Sequence, residues 1–219
     1  MQTRWSWSRR TLLRSAAASG LVAAMPRIVR AQAPRVAMPF GVQTGDVAGD
    51  RAIVWAKADR PARMMVEWAT TESFTDARTV RGPAALGDTD HAAKLDLAGL
   101  PADQHVFYRV RFADLADANA ASEVVTGKLR TPPATKRNVR FVWSGDTAGQ
   151  GWGINPDFGG MRIYEAMRQV EPEFFIHSGD TVYADGPLAE EQEQPDGTMW
   201  KNIVTPEKSK VAETLREFR

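Results

Sequence analysis

Between residues 40 and 129 the chain repeats one pattern, a short apolar or alternating run closed by Gly, Pro, Asp or Asn, as at 52–56, 64–68, 91–97, 106–112 and 123–129. Alternation with a period of two puts successive side chains on opposite faces of a strand, and the closing residues favour turns because they permit or fix special backbone angles. About six or seven such strands over roughly 90 residues can bury their apolar faces only against one another, which predicts an all-β sandwich of the immunoglobulin or fibronectin kind. Leu100-Pro101-Ala102-Asp103-Gln104 reads as the corner before a late strand of such a domain. Thr131-Pro132-Pro133 ends the pattern, since consecutive prolines neither pair in a sheet nor sit inside a helix.

The rhythm then changes. Residues 139–144 form an apolar run, 160–170 carry apolar residues at helical spacing with Met161, Tyr164 and Met167 as the expected core face, and 173–177 form a second apolar run. Strand, helix, strand is a βαβ unit, whose two strands lie parallel in one sheet. Residues 187–201 are polar and acidic and predict a solvated loop. Thr205-Pro206-Glu207 offers a helix start, with Val211, Leu215 and Phe218 on one face of the helix that follows. One βαβ unit cannot close a core, so the expectation is that the chain stops inside its second domain.

Composition narrows the function. The 219 residues carry 28 basic and 27 acidic side chains, a net charge of +1, with no overall footprint for nucleic acid. With no cysteine, disulfides and thiolate zinc sites are excluded, and any metal must be held by oxygen or imidazole. The basic excess lies at the N-terminus. There Arg9 and Arg10 precede a weakly apolar, Ala-rich run that is too short for the ~20 residues of a stable membrane span, followed by the A-x-A pattern of Ala31 and Ala33. The order resembles a twin-arginine export signal, which implies the twin-arginine export machinery as partner and a periplasmic or secreted protein. The expected domains are a signal peptide at 1–33, the β-sandwich at 34–131, and the start of an α/β domain at 132–219.

Both apolar runs of the βαβ unit end in the same tripeptide, Ser144-Gly145-Asp146 and Ser178-Gly179-Asp180. Parallel strands bring both aspartates to one sheet edge, the carboxyl edge where open α/β sheets bind ligands. Two carboxylates so placed repel unless one is protonated or a cation lies between them. Tyr183 follows three residues after Asp180. Carboxylate and phenolate are hard oxygen donors suited to iron(III), calcium, magnesium or manganese, and deprotonating a phenol near neutral pH favours a trivalent ion. The alternative, that Gly-Asp is a common turn pair and Tyr183 a packed aromatic, is weakened by two such tripeptides in register. His91 and His105 fall in the β region. His177 lies beside the edge, as a core residue or a support for a ligand rather than a direct ligand. Asp157, Asp185 and the acidic run at 190–193 read as loop positions.

Residues 139–186, above all Phe174-Phe175-Ile176-His177-Ser178-Gly179-Asp180-Thr181-Val182-Tyr183-Ala184-Asp185-Gly186, resemble the start of the metallophosphatase domain of the alkaline phosphatase D family, related to calcineurin-like and purple acid phosphatases. The β domain and the export signal fit that layout. The resemblance implies that Asp180 bridges two metals, that Tyr183 ligates iron, and that Asp146 is the first aspartate of the wider pattern; some members carry a cysteine near this point, and this chain has none. It implies iron(III) and calcium as cofactors, with manganese, magnesium and zinc as alternatives. A phosphoester substrate, monoester or diester, would be attacked by a metal-bound hydroxide, with no protein nucleophile. The later His and Asn motifs have no counterpart before Arg219, so this chain alone is expected to be inactive. A non-catalytic cell-envelope binding module built on the sandwich is the alternative.

Overall fold

The alternating runs pair into two antiparallel sheets. The computed structural model describes residues 35–117 and 120–218; the proposed signal, with Arg9, Arg10, Ala31 and Ala33, lies outside the described residues. One sheet has the order β1 (Val42–Ala48), β2 (Arg51–Lys57), β5 (Ala92–Leu97); the other has β4 (Arg78–Ala85), β3 (Ala62–Ala69), β6 (His105–Asp114), β7 (Val125–Arg130). Their inner faces supply one core: Val54 and Ala56 of β2 with Met64, Val66 and Trp68 of β3 and Val106, Tyr108, Val110 and Phe112 of β6. Each large side chain fully buried there contributes about 1.5–3 kcal/mol. Gly127 lies opposite Tyr108 in register, and a Cβ on it would stand 2.2 Å from the tyrosine ring, so only glycine lets the ring cross β7.

The expected corner joins the linker to the sandwich. The buried Thr131 hydroxyl donates to the Pro101 carbonyl at 2.6 Å, its N–H donates to Gln104 O at 3.1 Å, and Pro132 O accepts from the Asp103 N–H. Arg137 then reaches both ways, to Asp103 at 3.1 Å and, with two parallel bonds of 2.8 and 2.6 Å, to Glu173.

The strand–helix–strand expectation holds in outline. Strand β8 (Phe141–Ser144) pairs in parallel with β9 (Phe174–His177), and α1 (Arg162–Gln169) lies between them in sequence. The expected burial does not hold. Trp143 is 65% exposed, and Phe141, Phe174, Phe175 and Ile176 are exposed too. Tyr164 is exposed, while Met161 and Met167 are half-buried rather than core. Two short strands and an eight-residue helix enclose too little volume to cover these side chains.

Two further expectations are corrected. Within 187–201 the chain forms a hairpin, β10 (Glu191–Glu193) against β11 (Met199–Lys201). Gly197 takes the positive φ of the turn, and Asp196 accepts from the Thr198 N–H at 2.9 Å. Trp200 anchors the hairpin, packing on Phe158 with ring centres 4.8 Å apart. Residues 205–218 form turns rather than a helix, and Val211, Leu215 and Phe218 are exposed. Side chains replace helical backbone partners there: the Glu217 carboxylate accepts from the N–H groups of Glu213 and Thr214.

Candidate metal centre

Register explains how Asp146 and Asp180 meet. Ser144 pairs with His177, so two residues further on Asp146 comes level with Gly179 and one step short of Asp180. Its Oδ1 accepts from the Asp180 N–H at 2.8 Å, and its Oδ2 accepts from the Tyr183 hydroxyl at 2.5 Å. A Cβ on residue 179 would stand 2.1 Å from Asp146 Oδ1, so this close approach requires glycine. The two aspartates and the tyrosine singled out in sequence therefore come together at the carboxyl ends of β8 and β9.

Electrostatics follow from these bonds. The hydrogen bond from Tyr183, the Asp180 N–H and the nearby His177 all hold the Asp146 carboxyl below the usual carboxylate range. The same bond to Asp146, partial desolvation and a further bond to Asp180 push the Tyr183 phenol well above its ordinary value. The proton stays on the phenol and is donated to carboxylate oxygen, in the place where a hard cation would find three oxygen donors.

Thr147 braces the centre, although the sequence reading passed it over. Its N–H donates to Asp180 O at 2.8 Å, and its hydroxyl lies 3.3 Å from His177 Nε2 and 3.4 Å from the Tyr164 hydroxyl. The signal was present: the repeated unit is Ser-Gly-Asp-Thr, four residues rather than three. His177 is half-buried and meets Thr147 through its Nε2. The Trp143 indole N–H donates to Ser178 Oγ at 2.7 Å and ties the two strand ends together. Asn202 carried no sequence signal, yet it accepts from the Gly153 N–H at 2.7 Å and donates to Gly151 O and Ala189 O at 3.0 and 2.7 Å.

The remaining candidates lie apart from the cluster. Asp157 sits in the turn capped by Asn155, Asp185 accepts from the Gln150 amide, and Glu191 and Glu193 belong to β10. His91 and His105 belong to the sandwich. Among the described residues no group of three or more His, Cys, Asp and Glu side chains could hold a metal. The donor set is two carboxylates and a phenol, which suits a hard cation in kind.

The chain matches two family models, "PhoD-like phosphatase, N-terminal domain" over residues 6–133 and "PhoD-like phosphatase" over residues 141–219. No curated protein matches it. A solved structure of PhoD is similar with a TM-score of 0.52 at 22% identity, a likeness of fold that covers 67% of this chain and 28% of that one. The chain therefore spans less than a third of that structure's length. Other similar structures include a purple acid phosphatase from yellow lupin (Lupinus luteus) seeds, at TM-score 0.41 and 13% identity over 72% of this chain and 37% of that one. The fn3 domain of human collagen alpha-1(XX) chain is similar at TM-score 0.36 and 21% identity, over 54% and 97%. With both halves matched in order, the chain belongs to the PhoD-like phosphatase family.

Proposed function

We propose that the protein is an exported phosphoester hydrolase whose metal centre is built on Asp146, Asp180 and Tyr183. The observation that carries this reading is the convergence of these three side chains at one sheet edge, with Gly179 leaving no room for a methyl group between them. Ions bound there would supply positive charge to the phosphate oxygens and acidify water. Iron(III) with calcium is the pair favoured here, because a phenol and carboxylates combine a donor for a strong Lewis acid with hard anionic oxygen.

The chain's own residues have distinct tasks. Asp146 is fixed from both sides, by the Asp180 N–H and the Tyr183 hydroxyl, so its carboxylate is oriented before anything binds. Thr147 holds the Asp180 backbone and, through its hydroxyl, the His177 ring. Tyr183 and Asp180 would complete the donor set for a cation, the tyrosine only by losing to solvent the phenol proton that it now gives to Asp146, and Asp180 by adding a second negative charge.

Elemental analysis of variants tests the centre. Asp180→Asn should lower bound metal well below wild type and, in the whole protein, cut hydrolysis by ~10³ or more, the scale for losing a principal electrostatic group. Tyr183→Phe should remove any visible iron–phenolate absorption and leave the fold intact. Unaltered metal content in Asp180→Asn would favour the rival reading, a non-catalytic cell-envelope module. Export by the twin-arginine route is tested separately: replacing Arg9 and Arg10 by lysine keeps the charge and should leave precursor in the cytoplasm. Normal processing after Ala33 in that double variant would remove the export proposal.

A further inference from the structure

A cavity of about 620 Å³ adjoins the oxygen cluster, and Tyr183 lines it. Its walls come from residues 147–154, 181–188 and 207–218, and Trp152, Ile154, Val182, Leu188 and Phe218 make much of the lining apolar. The charged side chains on its walls are acidic at Asp185, Glu207 and Glu217 and basic at Lys208 and Lys210, a net negative set. Asp185 accepts from the Gln150 amide at 3.1 and 3.2 Å, Lys210 pairs with Glu217 at 2.7 Å, and Lys208 donates to Ile203 O at 3.3 Å. Asn202 fixes the frame, joining the 151–153 loop to Ala189. The Ala212 N–H donates to Ala184 O at 3.2 Å and closes the far side.

We propose that this cavity seats the alcohol portion of the phosphoester and selects an aromatic or bulky apolar group over a small polyol. The inference rests on the phosphoester reading above. A phosphoester has one charged end and one organic end. The charged end belongs with the oxygen cluster and its cations, and Tyr183 is the wall that cluster and cavity share. The volume lies within the range of small-molecule sites, ~300–1,000 Å³, and largely apolar walls with an excess of acidic over basic side chains reward burial of apolar surface rather than a second anion.

The test needs neither metal nor turnover, so it separates this proposal from the hydrolase reading. Ligand-detected NMR titration of the chain with 1-naphthol should show saturable binding with a Kd of about 1 mM or tighter, the scale for ~11 heavy atoms, while glycerol should not saturate. Val182→Glu places a carboxylate on the wall at an exposed position, so the fold should tolerate it, and Ala184→Trp fills the space. Each should weaken 1-naphthol at least about tenfold, and Asp180→Asn should change it less than about twofold. Naphthol binding that survives both wall variants, or glycerol binding as well as naphthol, overturns the proposal. Absence of any saturable binding overturns it too and leaves the cavity as a packing surface for another protein segment. Naphthol bound as expected by a whole protein that hydrolyses no phosphoester would end the hydrolase reading and keep the cavity's preference.

Discussion

At residue 179 a single methyl group should be enough to disrupt the oxygen cluster. The added Cβ would meet Asp146 Oδ1 at 2.1 Å and the Asp146 backbone nitrogen at 2.7 Å, so main chain as well as side chain would have to move. Overpacking of this kind costs about 1–3 kcal/mol, and two four-residue strands have little other contact with which to resist it. Gly179→Ala is therefore expected to bind metal at least about tenfold more weakly, while the sandwich unfolds at its normal midpoint. Gly186→Ala is the matched control, because a Cβ there meets nothing within 4 Å, and its metal content should equal wild type. Equal metal content in both variants would show that the close approach of Gly179 to Asp146 does not matter. Asp146 and Asp180 were legible in the sequence because one short motif repeats at the ends of two apolar runs, and Tyr183 because it follows Asp180 by three residues in the stretch that carries the family resemblance. Thr147 was legible only as a fourth repeated residue. Asn202 acts through backbone groups distant in sequence, and no local pattern marks such a partner.

Among the elements, the β-sandwich was the most readable, for a physical reason. Strands with one buried face must alternate over several residues, as β2, β3 and β6 do, and that alternation survives in the sequence. Strands β10 and β11 have three residues each, too few to show a period, and their anchor, Trp200 against Phe158, is a long-range contact. The segment at 205–218 misled in the opposite direction. It has a helix-start sequence and apolar spacing, but its polar side chains bond backbone groups locally, and among the described residues no helix forms there. Packing also predicts which glycine the sandwich cannot lose. Gly127→Ala would drive a Cβ to 2.2 Å from the Tyr108 ring, so that ring or β7 must shift, and stability should fall by about 1–3 kcal/mol. The urea midpoint of the variant reads this directly; a midpoint equal to wild type would mean that the ring moves aside without cost.

Across the whole molecule, the sandwich and the β8–β9 half are joined by charge as well as by the proline linker. Arg137 bonds Asp103 in the sandwich corner and Glu173 at the start of β9, and Arg130 of β7 also bonds Asp103. None of these pairings could be read locally, since the partners are 27 to 36 residues apart. They do have a pH signature. The bond to Arg137 holds the Glu173 carboxyl down at about 2, against an ordinary 4.5, and the bonds to Arg130 and Arg137 lower Asp103 as well. A carboxyl with a depressed folded-state pKa contributes stability that is fully present above its ordinary pKa and is lost as protons bind on the way down. The junction should therefore be independent of pH from 7 to about 5 and weaken progressively from about 4.5 towards 2. Both carboxylates are partly open to water, so added salt should weaken the junction at neutral pH too. Thermal unfolding followed at several pH values should show the β8–β9 half melting earlier relative to the sandwich as pH falls through 4. In Glu173→Gln the two halves should already melt apart at pH 7, with a smaller further change on acidification because one titrating group is gone. A wild-type separation that stays constant from pH 7 to 3, or a Glu173→Gln protein as sensitive to acid as wild type, would place the coupling between the halves in the backbone bonds of Thr131 and Pro132 instead.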